Sequence, residues 1–327
     1  MKFLVIGLGS MGKRRIRILK KNHPQVEIIG VDLSKERCDD VHNNLDLKCY
    51  HSLNEAINIE KPNAAIVCTS PITHSSIILE CLENNLHVFT EINLVSDNYE
   101  VIIEKAKKNN LKLLLSSTFL YRNEIKYIGN QVKNQNEKVS YRYHIGQYLP
   151  DWHPWESYKN FFVGDKRTNG CREIFAIELP WIIKTFGKVV NINVYKNNIT
   201  NLDIGYYDNY SVLLEHENGN IGTLNVDVAC RKAVRNLEIY NEELYIEWNG
   251  TPESLQSFNN MKKNMEHVDT YSSIKREAGY ASNIIENAYE SEIEEFIKYI
   301  TGEVPKTTYS FEEDYDIIKL INKIEGV

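Results

Sequence analysis

Short apolar runs alternate with helical patterns over the first 120 residues. Runs that predict strands are Lys2–Ile6, Val26–Val31, Ala64–Cys68, His87–Phe89 and Lys112–Ser116. Helical patterns follow the first run up to about Asn22, and then extend from about Thr73 to Asn84 and from about Asn98 to Asn109. Such alternation indicates a parallel sheet with helices on both faces. Nearly continuous apolar strands are typical of a sheet that is covered on both sides.

Beyond about Phe119 the pattern changes. Tyr and Trp cluster between Tyr141 and Tyr158, and a helical pattern extends from about Cys171 to Phe186. The half-buried strands predicted after it are Val189–Tyr195, Tyr210–His216, Gly222–Ala229 and Leu237–Trp248. Residues 252–275 are polar and predict loops, and two closing helices are expected over about Asn283–Thr301 and Phe311–Ile324. We therefore predict an α/β domain over residues 1–120 and an α+β domain with a large open, mostly antiparallel sheet over residues 121–327.

Composition narrows the function classes. The formal net charge of -7 argues against a nucleic-acid-binding protein and against a polybasic membrane anchor, because both depend on clustered Lys and Arg. The six cysteines are scattered singly, without a Cys-x-x-Cys pair, which is typical of reduced thiols. We expect a cytoplasmic protein without a metal site.

The sequence GLGSMG at residues 7–12 is the strongest motif. It directly follows the first predicted strand and opens a helix, which is the context in which this pattern binds a dinucleotide. Gly7 permits the tight turn, Gly9 lets the backbone approach the pyrophosphate, and Gly12 allows close packing of helix on strand. The pyrophosphate is expected on the free amides at the helix N-terminus, where Ser10 and Met11 lie.

Asp32 supplies the second half of this fingerprint. It ends the next predicted strand, about 20 residues after the glycine turn, where a carboxylate accepts from the ribose hydroxyls. The two features together predict a Rossmann domain. An acidic residue at this place favours NAD over NADP, although Lys35 and Arg37 follow closely and weaken that discrimination.

Two further segments follow predicted strands at the edge where open α/β sheets bind ligands. Thr69, Ser70 and His74 follow the Ala64–Cys68 run, and Glu91 and Asn93 follow the His87–Phe89 run. We assign these residues to the cofactor site. For His74, a role in helix capping or at the surface is the alternative.

Four segments together resemble the Gfo/Idh/MocA family: GLGSMG, TSPITH at residues 69–74, HVFTEIN at residues 87–93 and GQYLPDWHPWESY at residues 146–158. The resemblance extends over nearly the whole chain. The family consists mostly of NAD(P)-dependent oxidoreductases that act on sugars, sugar nucleotides or cyclitols. The resemblance implies a Rossmann domain followed by a domain with a large open sheet, which often mediates homodimers or homotetramers.

The chain departs from the family at its two usual proton handlers. Where the family has Glu-Lys-Pro, this sequence reads Glu91-Ile92-Asn93. The family's His-x-x-Asp motif falls on residues 177–180, so that Ile177 replaces the histidine beside the nicotinamide and Pro180 replaces the aspartate. Isoleucine cannot accept a proton, so the usual catalytic assignment does not transfer.

Other residues are candidates for these roles. We consider Tyr148, His153 and Glu178 as catalytic candidates, since a general base contributes about 10²–10⁴-fold to rate. The alternative for Glu178 is a role as a buried ion-pair partner. For the ring residues the alternative is simple packing: Tyr148, Trp152, His153 and Trp155. We assign substrate binding to the residues Trp152, Arg172 and Glu173. An arginine suits a carboxylate or phosphate clamp, with a salt bridge as the alternative, and an aromatic face suits a sugar ring.

Three functions remain open from the sequence. The first is an NAD(P)-dependent oxidoreductase that transfers a hydride at a carbinol, carbonyl or imine carbon of a sugar, amino sugar or sugar nucleotide. The second is a lyase, epimerase or glycosidase that recycles tightly bound NAD within one turnover. The third is a non-catalytic dinucleotide-binding subunit.

Overall fold

The computed structural model describes residues 1–277, 279 and 283–327. Its strands are β1 (Lys2–Ile6), β2 (Glu27–Val31), β3 (Lys48–Tyr50), β4 (Ala64–Val67), β5 (His87–Thr90), β6 (Leu113–Leu115), β7 (Ser140–Gly146), β8 (Val189–Asn197), β9 (Asn209–His216), β10 (Ile221–Asp227), β11 (Val234–Tyr240), β12 (Tyr245–Trp248), β13 (Gln256–Asn259) and β14 (Asn264–His267). Its α-helices are α1 (Ser10–Asn22), α2 (Lys35–Leu45), α3 (Leu53–Glu60), α4 (His74–Glu83), α5 (Tyr99–Lys108), α6 (Asn123–Lys133), α7 (Gly170–Phe186), α8 (Glu286–Thr301) and α9 (Phe311–Glu325).

The chain forms two compact units. The first comprises Met1–Thr118 together with Ala288–Ile318, and the second comprises Phe119–Asn287 together with Lys319–Val327. The division after residue 118 lies close to the boundary expected from the sequence. Residues 288–318 group with the first unit, although the sequence pattern assigned them to the second domain.

The first unit is built on a parallel sheet with the strand order β3-β2-β1-β4-β5-β6. The central strands β1 and β4 are almost entirely buried, as their unbroken apolar sequences predict. The order reverses between β1 and β4, which is the point where open α/β sheets bind ligands. This arrangement confirms the predicted Rossmann-like sheet.

The sequence pattern did not identify α2, β3 and α3, which lie between Asp32 and Ala64. Both helices are short, and each begins at a serine N-cap. Ser34 Oγ accepts from the amide of Arg37, and Ser52 Oγ accepts from the amide of Glu55. Local capping of this kind starts a helix without a long apolar stripe.

The second unit contains a sheet with the order β14-β13-β12-β11-β7-β10-β9-β8. Strands β7 and β10 pair in parallel, and the other neighbours pair antiparallel, which confirms the mostly antiparallel sheet. Three local details differ from expectation. The predicted strand Leu237–Trp248 is a hairpin of β11 and β12, the unpredicted β7 overlaps the start of the aromatic-rich region, and β13 and β14 form a second hairpin in the segment expected to be loops.

No helix in the part of the chain that the structure describes is long and apolar enough to cross a membrane.

A buried cluster of charges lies inside the first unit. The Arg15 side chain on α1 is fully buried, and its Nε donates to Glu91 Oε1 at 2.6 Å. Its Nη2 donates to Glu292 Oε2 on α8 at 2.7 Å. Burial opposes the charge on Arg15, but attraction to the two carboxylates outweighs it and raises the pKa of Arg15. The cluster therefore joins α1, the end of β5 and α8.

We predict that Arg15→Leu destabilises the protein by about 3–5 kcal/mol, because it leaves two carboxylates buried without their cation. Chemical denaturation measures the loss. Lys21→Leu is the matched control, since Lys21 also links α1 to α8 through Glu290 but is exposed. That variant should cost less than about 1 kcal/mol. Equal losses in the two variants would contradict this account of the cluster.

Candidate functional site

The glycine turn between β1 and α1 has the geometry that the motif requires. Gly7 has φ 90°, and a Cβ there would lie 2.7 Å from the carbonyl oxygen of Cys68. A Cβ at Gly12 would lie 2.0 Å from the carbonyl oxygen of Gly7. A Cβ at Gly9, the N-cap of α1, would meet no described atom within 4 Å. The open space beside Gly9, with Ser10 and Met11 next in the chain, fits a pyrophosphate on the amides at the helix start.

The carboxylate of Asp32 is fixed beside this turn. Its Oδ2 accepts from the Leu8 amide at 2.7 Å, and its Oδ1 accepts from the Ser34 amide at 2.8 Å. Each carboxylate oxygen retains a further lone pair for a ribose hydroxyl. Arg37 Nη1 lies 3.6 Å from Asp32 Oδ2, and the Arg37 side chain is mostly exposed. A cation therefore lies next to the Asp32 carboxylate.

The second group of predicted cofactor residues lies where β4 and β5 end. Thr73 Oγ1 donates to Thr69 Oγ1 at 2.8 Å and is also 2.8 Å from the carbonyl oxygen of Ser70, which ties the turn at residues 69–73 together. His74 is buried, not at the surface, and its Nε2 lies 3.0 Å from the carbonyl oxygen of Thr69. Its Nδ1 lies 2.7 Å from Asn93 Oδ1. His74, held by Asn93, thus contacts the backbone of the Thr69–Ser70 turn through its imidazole ring.

Glu91 was assigned to the cofactor site, and its carboxylate is committed to another contact. Its Oε1 accepts from Arg15, as described above, and lies 3.9 Å from the sulfur of Cys68. This geometry gives Glu91 a structural role in orienting the end of β5.

In the second unit, the carboxylate of Glu178 is fully buried and fully bonded. Its Oε2 accepts from Tyr143 Oη at 2.9 Å and from Trp181 Nε1 at 2.7 Å. Its Oε1 accepts from Arg235 Nε at 2.9 Å. These contacts match the ion-pair alternative considered for Glu178. Pro180 lies within α7 and does not end the helix.

Arg172 is also committed to structural contacts. It is buried, its Nη1 pairs with Glu325, and its Nη2 donates to Asn322 Oδ1 at 2.7 Å. Asn169 caps α7 through the Arg172 amide and donates to Glu325 Oε1 at 2.7 Å. The salt-bridge alternative therefore describes Arg172 better than a substrate clamp.

The aromatic candidates lie in the segment between β7 and α7. The Tyr148 ring stacks against the guanidinium of Arg231 at 3.7 Å. Trp152 is half-buried, and a Cβ at Gly170 would lie 3.4 Å from its ring, so Trp152 packs on the first turn of α7. His153 stacks between Trp155 and Phe161, with its Nδ1 3.1 Å from Glu156 Oε1. These contacts bring Trp152 to the α7 N-terminus and leave His153 in a separate exposed stack.

Glu173 differs from the other charged candidates. It lies in the first turn of α7, half-buried, and no described residue donates a hydrogen bond or an ion pair to its carboxylate. Burial raises the pKa of Glu173 to about 7. Ile177 lies one helical turn later, and these two are the half-exposed positions in the otherwise buried stretch 170–182.

Sequence reasoning missed the residues that connect His74 and Asn93, below the Thr69–Ser70 turn, to the rest of the first unit. The Asn93 side-chain amide is hydrogen-bonded to Tyr99 Oη at 2.7 Å, and the Tyr99 hydroxyl is hydrogen-bonded to Asp314 on α9. Only the fold brings Asp314 to Tyr99, and no local pattern marks either residue. Among the described residues, no group of three or more His, Cys, Asp or Glu side chains is arranged to hold a metal ion.

The glycine turn yields a paired prediction. Gly9→Ala should weaken NAD binding by about tenfold or more, roughly 1.4 kcal/mol, while the melting temperature stays unchanged, because the methyl group enters only the space for the pyrophosphate. Gly12→Ala should lower the melting temperature as well, because its methyl group meets backbone. Titration calorimetry and thermal unfolding measure the two effects. Loss of stability in Gly9→Ala with intact NAD affinity would contradict the assignment.

Comparison with known proteins agrees with this geometry. Residues 1–115 match the family model GFO_IDH_MocA, described as an oxidoreductase family with an NAD-binding Rossmann fold. A curated relative, myo-inositol 2-dehydrogenase of Thermotoga maritima, is 27% identical over 137 residues. That alignment covers 41% of this chain and 41% of the relative, so the chain matches about two-fifths of the relative's length.

Two solved structures share the fold over almost the whole chain. One is a putative NADPH-dependent oxidoreductase from Desulfitobacterium hafniense, with 13% identity and a TM-score of 0.82 over 98% of this chain and 93% of that one. The other is UDP-N-acetylglucosamine 3-dehydrogenase from Acidithiobacillus ferrooxidans, with 15% identity and a TM-score of 0.77 over 100% of this chain and 97% of that one. The resemblance noted from the sequence is thereby confirmed for residues 1–115, which match the NAD-binding Rossmann fold of that family model.

Proposed function

We propose that this protein is an NAD(P)-dependent dehydrogenase or reductase that acts on a carbinol or carbonyl carbon of a sugar, amino sugar, sugar nucleotide or cyclitol. The dinucleotide geometry of residues 7–12 and Asp32 supports the cofactor. The substrate class is supported by the relatives, because one is named for myo-inositol and another for UDP-N-acetylglucosamine. The half-buried ring of Trp152 at the α7 N-terminus also suits a sugar ring.

The observation that carries the proposal is the unpartnered carboxylate of Glu173. The family resemblance implies that position 177 lies beside the nicotinamide, and Glu173 precedes it by one turn on the same half-exposed strip of α7. The carboxylates of Glu178 and Glu325 are bonded to cations and amides, so they are not available. A group with a pKa near 7 suits proton transfer at neutral pH.

Glu173 then replaces the absent lysine and histidine. In the oxidation direction the hydroxyl proton passes to the Glu173 carboxylate, the carbon–hydrogen bond breaks with loss of hydride, and the carbon–oxygen double bond forms. The nicotinamide ring, when bound, supplies the hydride acceptor. In the reduction direction protonated Glu173 donates the same proton.

The proposal is tested by incubating the protein and the dinucleotide with a panel of cyclitols, keto sugars, amino sugars and nucleotide sugars. The absorbance of reduced nicotinamide is followed during each incubation. Net formation or consumption of NADH or NADPH with any member is the expected result. Product without net change of the nicotinamide would indicate a lyase, epimerase or glycosidase with recycled NAD instead. Dinucleotide binding without chemistry across the panel would favour a non-catalytic subunit.

We predict that Glu173→Gln lowers kcat/KM for the best substrate by about 10²–10⁴-fold and leaves the dissociation constant for NAD unchanged. In wild-type enzyme, oxidation should become faster as pH rises through about 7, since Glu173 must be ionised, and reduction should become slower. The variant should lose this inflection. Kinetics over pH 5–9 measure it.

Glu178→Gln is the matched control on the same helix. Because Glu178 neutralises Arg235, this variant should lower the melting temperature and retain the inflection near pH 7. Loss of the inflection in Glu178→Gln, with Glu173→Gln unaffected, would refute the assignment of Glu173.

The raised pKa of Glu173 also predicts an effect on stability. The folded state binds this proton more tightly than the unfolded state, so the contribution of Glu173 becomes less favourable as pH rises from about 4.5 to about 7. Glu173→Gln should therefore raise the melting temperature at pH 8 relative to wild type, and raise it much less at pH 5. Thermal unfolding at the two pH values measures the difference.

We also propose that a second copy of the chain covers the open face of the second-unit sheet. Tyr195, Leu213 and Ile221 project from this face on neighbouring strands and are exposed by 79%, 41% and 47%. Sedimentation of wild type should show a dimer or tetramer. Leu213→Glu should shift it toward the monomer, while Glu217→Lys in the neighbouring turn should not. A monomeric wild type would overturn this proposal.

A further inference from the structure

A chain of buried polar side chains supports the cofactor turn in the first unit. It begins at the carbonyl oxygen of Thr69 and passes through His74, Asn93 and Tyr99 to Asp314. Tyr309 Oη donates to the second oxygen of Asp314 at 2.9 Å. The five side chains from His74 to Tyr309 are each no more than 4% exposed. Neither the glycine turn nor Glu173 requires these residues.

Hydrogen-bond chemistry restricts where the protons lie. A carbonyl oxygen only accepts, so Nε2 of His74 must carry the hydrogen toward Thr69. A neutral imidazole then has a lone pair on Nδ1, which needs a donor. In the structure Nδ1 faces Asn93 Oδ1, an acceptor, and also lies 3.3 Å from Thr90 Oγ1.

Two assignments satisfy every link. In the first, His74 carries a hydrogen on both nitrogens, Asn93 donates to Tyr99, and Tyr99 donates to an ionised Asp314. In the second, the Asn93 amide is turned over, His74 is neutral, Tyr99 donates to Asn93, and a protonated Asp314 donates to Tyr99. The two differ by the transfer of one proton between Asp314 and His74. Without that proton, one link of the chain joins two acceptors.

Burial favours the second assignment, because it contains no charge. Burial raises the pKa of Asp314 to about 7, against the opposing hydrogen bonds from Tyr99 and Tyr309. Burial likewise lowers the pKa of His74. Asn93 is essential to either assignment, because only a side chain with both a donor and an acceptor can connect the ring to the phenol.

We propose that Asn93, Tyr99 and Asp314 are positioning residues of the cofactor site, which hold one proton between them and His74 and thereby fix the turn at Thr69 and Ser70. The inference rests on the dinucleotide site of the proposed function. It assigns a role to Asn93 that a proline at this position, as in the family's motif, cannot perform.

Tyr99→Phe tests the hydrogen-bond chain from Thr69 to Asp314, with Tyr309→Phe as its matched control. Each variant removes one hydroxyl that bonds to Asp314, but only Tyr99 lies between Asp314 and His74. Tyr99→Phe should shift the ring ¹⁵N resonances of His74, which are assigned by their loss in His74→Gln. It should also weaken NAD affinity by about three- to tenfold, as expected for one lost hydrogen bond. Tyr309→Phe should leave both unchanged.

Asp314→Asn and Asp314→Ala test the proton itself. An asparagine amide can donate to Tyr99 as a protonated carboxyl does, so Asp314→Asn should retain the His74 resonances and the NAD affinity of wild type. Asp314→Ala should lose both. Equal behaviour of Asn and Ala at position 314, or of the two Phe variants, would overturn the proposal.

The failure of the proposed function would look different. If wild-type protein bound neither NAD(H) nor NADP(H) in titration calorimetry, the dinucleotide site itself would be wrong. The His74 resonances would still decide whether Tyr99 and Asp314 act on the ring, because that comparison needs no cofactor.

Discussion

The close approach of the backbone between β1 and α1 is the constraint on which the rest depends. The missing Cβ of Gly12 lets α1 begin directly against the carbonyl of Gly7, and the missing Cβ of Gly7 lets that residue pass the end of β4. With the turn in this place, the α1 amides are directed into open space beside Gly9. Asp32 then closes the arrangement by accepting from the Leu8 amide, so the residue that would bind ribose also holds the turn.

Buried charge is the second organising feature, and most of it is structural. Arg15 joins Glu91 to Glu292 in the first unit, while Arg235 pairs with Glu178 and Arg172 with Glu325 in the second. Removing one member of such a group leaves an unpaired charge in a low-dielectric interior, which is costly. The intact groups add little net stability, because burying their charges has a large desolvation cost, but they fix the geometry of the elements they join. Against this background a half-buried carboxylate without a partner, Glu173, stands out as chemically available.

Two positions at which the chain departs from the motifs of the family it resembles, 177 and 93, have different surroundings in the structure. Ile177 lies one helical turn after Glu173 on α7, and burial raises the pKa of Glu173 to about 7. At position 93 an asparagine replaces proline and connects His74 to Tyr99. In the function proposed above, Glu173 takes the proton-handling role one turn before Ile177, while Asn93 belongs to a buried hydrogen-bond chain that ends at the Thr69 carbonyl.

The sequence by itself determined the Rossmann-like sheet, the glycine turn and the place of Asp32, because these depend on local rules: apolar strands, glycine where a Cβ cannot fit, and a fixed spacing to the next strand. It also located α7 and the mostly antiparallel sheet. It missed α2 and α3, which are short and start from serine caps, and it read the β11–β12 hairpin as one strand. Only the tertiary structure decided which carboxylates are bonded, because Glu91, Glu178 and Asp314 meet partners far away in the chain. Whether a charged side chain has a hydrogen-bond or ion-pair partner depends on tertiary packing, and no local sequence pattern encodes it.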